Sequence, residues 1–115
     1  MIDRIKSIVD RTTGKIAHLE CDGATRVLNY LLTKENIPHQ VMRGRAAIGV
    51  ESITHYWIEA EGHIIDVKIQ MWFGPIATQG VFKPENSKTE YKGQPIQMTT
   101  SEKIYGLLMR IQSQP

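Results

Sequence analysis

A single cysteine, Cys21, stands among 115 residues. That excludes an internal disulfide, and a lone thiol fits a reducing compartment. The chain also lacks any apolar run near the roughly 18 residues that suggest a membrane span. Charge of one sign is missing too: 14 Lys and Arg stand against 12 Asp and Glu, a formal +2 with no long basic run. Nucleic acid is therefore not an expected partner. The opening residues, Met1-Ile2-Asp3-Arg4-Ile5-Lys6, are charged from the third position and lack the apolar centre of a signal peptide, so the expected setting is the cytoplasm. No internal repeat or low-complexity segment is visible. What is present is ordinary for a globular chain, with 41% hydrophobic and 23% charged residues. Residues 1–115 are expected to form one domain, large enough to bury about two-thirds of its unfolded surface.

Apolar spacing sets the expected elements. Ile2, Ile5, Ile8 and Val9 recur at helical intervals until Thr12-Thr13-Gly14. After a connector over 15–20, Ala24, Val27, Leu28, Leu31 and Leu32 mark one buried helix face running to about Glu35. Asn36 and Pro38 end that helix, because asparagine tolerates a left-handed turn and proline cannot continue a helix. Residues 39–48 read as a strand with a kink at Gly44, and Gly49-Val50-Glu51 as a loop. A strand through Val67 is expected to run on to about Phe73, where Gly74-Pro75 stops it. Residues 76–88 read as loop, followed by short strands over 89–92 and around Ile96. Thr99-x-x-Glu102 predicts a capping box. It opens a closing helix with Ile104, Leu107, Leu108 and Ile111 on one face. The order predicts an α+β domain: the cysteine helix on a small antiparallel sheet, with flanking N- and C-terminal helices.

Two β-rich runs, 53–60 and 63–67, are separated by Glu61-Gly62, a two-residue hairpin signal. In that register Ala60 faces His63 and Trp57 faces Asp66. Alternation then puts His55, Trp57, Ile64 and Asp66 on one face and Tyr56, Ile58, His63, Ile65 and Val67 on the other. His55 and Asp66 become diagonal neighbours, and a slip of one residue would part them. Cys21 falls at the start of its helix, where unpaired N–H groups and partial positive charge favour the thiolate form of a thiol. A thiol, an imidazole and a carboxylate so placed form a nucleophile, a base and the group that orients the base. Backbone N–H groups at the helix start are candidate oxyanion donors.

Cys21-Asp22-Gly23-Ala24, the Leu28 to Leu32 stretch and Asn36-Ile37-Pro38-His39-Gln40-Val41-Met42-Arg43-Gly44 resemble the cysteine segment of the bacterial transglutaminase-like superfamily. His55-Tyr56-Trp57-Ile58-Glu59 is similar to that family's His-x-Trp-x-Glu segment, and Asp66 to its aspartate on the following strand. The resemblance covers residues 19–67. It implies a papain-like fold with Cys21 as nucleophile, His55 as base and acid, Asp66 as the orienting residue, and Trp57 as a wall of the substrate site. It implies thiol acyl transfer on a peptide or protein: peptidase, glutamine deamidase or cross-linker, with no cofactor. Asn36 stands where the family has glycine. No glutamine precedes the cysteine as side-chain oxyanion donor, which leaves His18 or a glutamine from 70–79. The chain is short for the family, so its cleft is expected to be shallow or completed by a partner.

Plainer readings compete. A lone cysteine is commonly a buried small hydrophobe, and Asp66 could hold a solvated edge position. Trp57 could be core, and Glu59 salt-bridged near the hairpin end. His18, Cys21, His55 and His63 offer zinc ligands, but the hairpin register turns His63 away from His55. Arg43, Arg45 and Lys68 read as a solvated basic patch. Trp72, Phe73 and Pro75 suit either the core or a groove. A catalytically inactive interaction module on the same scaffold is the alternative function. For a homodimer, an exposed apolar face of the N- or C-terminal helix is the expected contact.

Overall fold

The computed structural model describes residues 1–112, with side chains through Arg110. Helix α1 spans Ile2–Thr13 and buries Ile5, Ile8, Val9 and Thr12, the one face its spacing dictates. A 3-10 turn at Gly14–Ile16 leads towards α2, Cys21–Lys34, whose buried residues include Ala24, Val27, Leu28 and Leu32. The end of α2 is a Schellman motif. Asn36 takes φ 57°, Asn36 N–H donates to Thr33 O at 3.0 Å, and Ile37 N–H donates to Leu32 O at 2.9 Å. Ile37 and Leu32 are both buried, which is the apolar contact that accompanies this cap.

Strands β1 (Gln40–Ile48), β2 (Glu51–Ala60), β3 (His63–Asp66), β4 (Gly80–Phe82) and β5 (Glu90–Ile96) form one antiparallel sheet in the order β4-β3-β2-β1-β5. The β2–β3 turn is Glu61-Gly62, with φ of 52° and 71°, the two left-handed residues of a type I′ turn. Ala60 pairs with His63 and Ile58 with Ile65, the register that the turn length predicts. One sheet face carries Val41, Ile58, Ala60 and Ile65 into a core shared with α1 and α2. The other carries Met42, Trp57, Ile64 and Phe82, joined by Tyr91.

That second face is concave. Phe82 and Tyr91 come from opposite edges of the sheet, yet their ring centroids lie 6.3 Å apart. Two glycines, Gly44 and Gly93, face each other where β1 and β5 approach closely. A Cβ on Gly44 would run into the Lys92 backbone, and one on Gly93 would lie 2.8 Å from Trp57 Cη2. Gly44 therefore serves close approach within a continuous strand rather than a kink.

Three expected elements differ. β3 stops at Asp66 instead of running to Phe73, because Asp66 Oδ1 accepts the Lys68 N–H at 3.0 Å and turns the chain. A helical turn, α3 (Gln70–Phe73), follows, held by Gln70 N–H to Gln79 Oε1 at 2.9 Å. Within the expected loop lies β4, too short at three residues to show alternation. The two expected strands near 89–96 are one, β5. Its Pro95 is tolerated because β5 is an edge strand. The closing helix α4 spans Glu102–Gln112, and its cap is Ser101 rather than Thr99: Ile104 N–H donates to Ser101 Oγ at 3.1 Å. α4 lies on α2 through stacked Tyr30 and Tyr105, 4.3 Å apart. Among the described residues no helix is long and apolar enough to cross a membrane.

Candidate active site

Cys21 is the first residue of α2. Glu20 before it is extended (φ −85°, ψ −176°) and caps with its carbonyl alone, accepting Ala24 N–H at 2.9 Å. Gly23 N–H is taken by Asp22 Oδ1 at 2.8 Å. The N–H groups of Cys21 and Asp22 thus have no acceptor inside the helix and are positioned as backbone donors. Cys21 is partly exposed and carries a free thiol.

His55 and Asp66 meet as the register requires. His55 Nε2 lies 2.8 Å from Asp66 Oδ2, and both residues are buried, at 0% and 3% exposure. His55 lies on β2 beyond the last β3 pair, where the two strands have parted. Asp66 accepts three bonds: from His55, from Lys68 N–H, and from the Tyr91 hydroxyl at 2.9 Å on Oδ2. The Lys68 N–H and the Tyr91 hydroxyl both donate to this carboxylate, and the imidazole proton is assigned to Nε2 so that His55 donates to it as well.

The other ring nitrogen, Nδ1, is buried and meets no partner at full hydrogen-bond geometry. Cys21 is the other neighbour that favours the charged form of the ring. Burial alone would push the His55 pKa down. The bond to Asp66, the Cys21 contact and the charges of both outweigh it and hold the pKa up at about 9. The balance of these effects favours the charged form of the His55 ring.

Lys68 belongs to the frame of the site and not to a solvated patch. It is buried, its ammonium donates to Ala17 O at 3.2 Å, and burial lowers its pKa. That bond ties the segment after Asp66 to the connector before Cys21. Arg43 is exposed and lies over the Tyr56 ring, and Arg45 bonds to Ser52. Trp57 is 1% exposed, with its indole N–H on Glu59 Oε2 at 3.1 Å and its ring 6.5 Å from His55. It backs the imidazole and presents no surface to a substrate, which corrects its expected role as a substrate contact.

Among the side-chain oxyanion candidates, His18 is engaged with Leu108 O at 3.0 Å and Gln70 donates to Ala77 O at 2.9 Å. The considered zinc set does not converge: His18 is spent on Leu108, and His63 bonds Glu61 O on the sheet face opposite His55. Trp72 is half exposed, and Phe73 packs partly against Ala46, Ile69 and Ala77. A hollow of about 370 Å³ lies between the connector before α2 and the segment after β3, lined in part by Ala17, Lys68, Gln70, Met71 and Gln79. A second, of about 400 Å³, is lined by Asn29, Tyr30, Lys34, Thr100 and neighbours, two or more turns along α2 from Cys21.

Tyr91 is the residue that sequence reasoning missed. A tyrosine in a strand carries no signal that separates core packing from a bond to a carboxylate 25 residues away. No family model matches this chain, and no curated protein or solved structure is significantly similar to it.

Proposed function

We propose that this chain is a thiol acyl-transfer domain acting on an amide of a peptide or protein, built as a minimal papain-like, transglutaminase-like fold. The observation that carries the reading is the buried His55–Asp66 pair, set beside the cysteine at the start of α2, with the second ring nitrogen engaged by no hydrogen-bond partner.

In this reading the Cys21 sulfur, its proton held by His55, attacks the substrate carbonyl carbon. The carbon–sulfur bond forms, and the oxyanion draws on the Cys21 and Asp22 N–H groups. The carbon–nitrogen bond breaks as His55 passes its proton to the leaving amine. The resulting thioester is then attacked by water or by an acceptor amine, whose proton goes to the now neutral imidazole. The carbon–sulfur bond breaks and the thiolate is restored. Asp66 holds the ring in its tautomer and offsets its charge throughout. These steps use no cofactor.

Intact-mass measurement after mixing with p-nitrophenyl acetate tests the reading. A transient acetyl adduct on Cys21, lost in Cys21→Ser and in His55→Ala, is expected. Faster loss of the adduct when a primary amine is added would mark a cross-linker, and loss to water alone a hydrolase. No adduct in the native chain defeats the proposal.

Two observations favour an inactive interaction module instead: His55 is 0% exposed, and two of the candidate side-chain donors are spent elsewhere. That reading expects ligand binding undisturbed by Cys21→Ser.

A further inference from the structure

The chemistry above makes no use of Tyr91, although its hydroxyl reaches the centre of the site. Tyr91 lies on β5 opposite Ala46 of β1, three strands from β3 in the sheet order. The curl of the sheet carries its phenol across the concave face to Asp66 Oδ2 at 2.9 Å. That is the same oxygen that takes the His55 Nε2–H at 2.8 Å, while Oδ1 is occupied by Lys68 N–H. The Tyr91 ring is fixed edge-on to Trp57, with centroids 5.0 Å apart, and tilted against Phe82. Burial, the Asp66 charge and the bond itself all raise the phenol's pKa, so it remains a donor.

We propose that Tyr91 is a positioning residue for His55: it competes with the imidazole for one carboxylate oxygen and so limits how firmly Asp66 holds the charged ring. The proposal rests on the acyl-transfer reading for its meaning. The first half-reaction needs an imidazolium that will release its proton to the leaving amine. The second needs a neutral imidazole to receive one. A carboxylate oxygen given wholly to His55 would hold the ring charged, which penalises the second half-reaction more than the first. A second donor on that oxygen disperses its charge. The groups acting on the ring are Asp66 from β3 and Cys21 from α2. The Lys68 ammonium is turned to Ala17 O, and Glu59 takes the Trp57 indole N–H. From β1, Gly44 and Ala46 bring no charge.

The test is a nitrogen-15 NMR titration of the His55 ring in the full chain and in Tyr91→Phe, which removes one oxygen and keeps the ring. The His55 midpoint is expected to rise by roughly half a unit to one unit. In an Asp66→Asn background the same substitution should leave it unmoved. A midpoint that stays put or falls in Tyr91→Phe, or an equal shift without the carboxylate, overturns the proposal. Where Tyr91→Phe fails to fold by circular dichroism, 3-fluorotyrosine placed at position 91 is a stronger donor and should lower the midpoint; no movement then counts against Tyr91. The titration reads the ring whether or not Cys21 reacts, so a shifted midpoint beside an inert thiol would refute acyl transfer and not the Tyr91–Asp66–His55 coupling. With p-nitrophenyl acetate, Tyr91→Phe should slow steady turnover several-fold more than the acylation burst. Equal slowing of both phases would contradict the role assigned to the phenol.

Discussion

Raising the pH from 6 to 10 should weaken the fold by about 3 kcal/mol through one residue, His55. Its pKa stands at about 9 in the folded chain against an ordinary 6.5. Two and a half pH units at about 1.4 kcal/mol each give that figure to order of magnitude. The sign follows from proton counting. Below pH 6.5 folded and unfolded chains both hold the His55 proton, and the stabilisation is fully present. Between 6.5 and 9 only the folded chain holds it, so stability falls as pH rises, and above 9 the contribution is gone. Burial of His55 acts the other way and is already included in the raised value. Urea unfolding at half-unit steps from pH 5.5 to 10 reads the effect, with His55→Gln as the reference so that other titrating groups cancel. The difference between the two chains should be flat below about pH 6 and decline to the upper limit. Cys21→Ala should move that limit down, since the sulfur is one of the groups that raise the ring's pKa. A difference that is level across the range, or that grows with pH, would show that His55 is not charged inside the fold.

Other substitutions probe the frame. Gly93→Ala puts a Cβ 2.5 Å from the Arg43 carbonyl oxygen and 2.8 Å from Trp57 Cη2 and should cost about 3 kcal/mol, read as a lower Tm, by forcing β1 and β5 apart. Leu32→Ala removes a fully buried side chain beneath the Schellman turn and should cost about 2–5 kcal/mol in urea unfolding. Glu61→Asn relieves a left-handed residue at φ 52° and should stabilise the hairpin by roughly 0.5–1 kcal/mol, with the β2–β3 register unchanged by NMR cross-strand contacts. A loss of stability in that last variant would contradict the type I′ turn.

The hairpin was legible because period-two alternation and a two-residue glycine turn leave one register, and that register alone brings His55 to Asp66. The α2 helix was legible from its apolar face and from Asn36, whose left-handed φ of 57° closes it. Beyond Asp66 the reading broke down. Val67 and Ile69 continue an apolar pattern, but the Asp66 side chain competes for the Lys68 N–H and ends the ladder. Lys68 looks like a surface charge in sequence. Only the chain path shows that its stem is buried and its ammonium spent on Ala17 O. Alternation places Trp57 on its face, but that Tyr91 reaches Asp66 across that face depends on a curled sheet in which Gly44 meets Gly93 across 49 positions, a pairing no local pattern encodes.

The rate of Cys21 alkylation by iodoacetamide, followed from pH 5 to 9 by intact mass, bears most directly on whether sulfur and imidazole share a proton. The account predicts reaction near pH 6 far faster than that of free cysteine, abolished in His55→Ala and weakened in Asp66→Asn. A rate that rises only as an ordinary thiol ionises, about pH 8.5, and that is indifferent to His55→Ala, would contradict it.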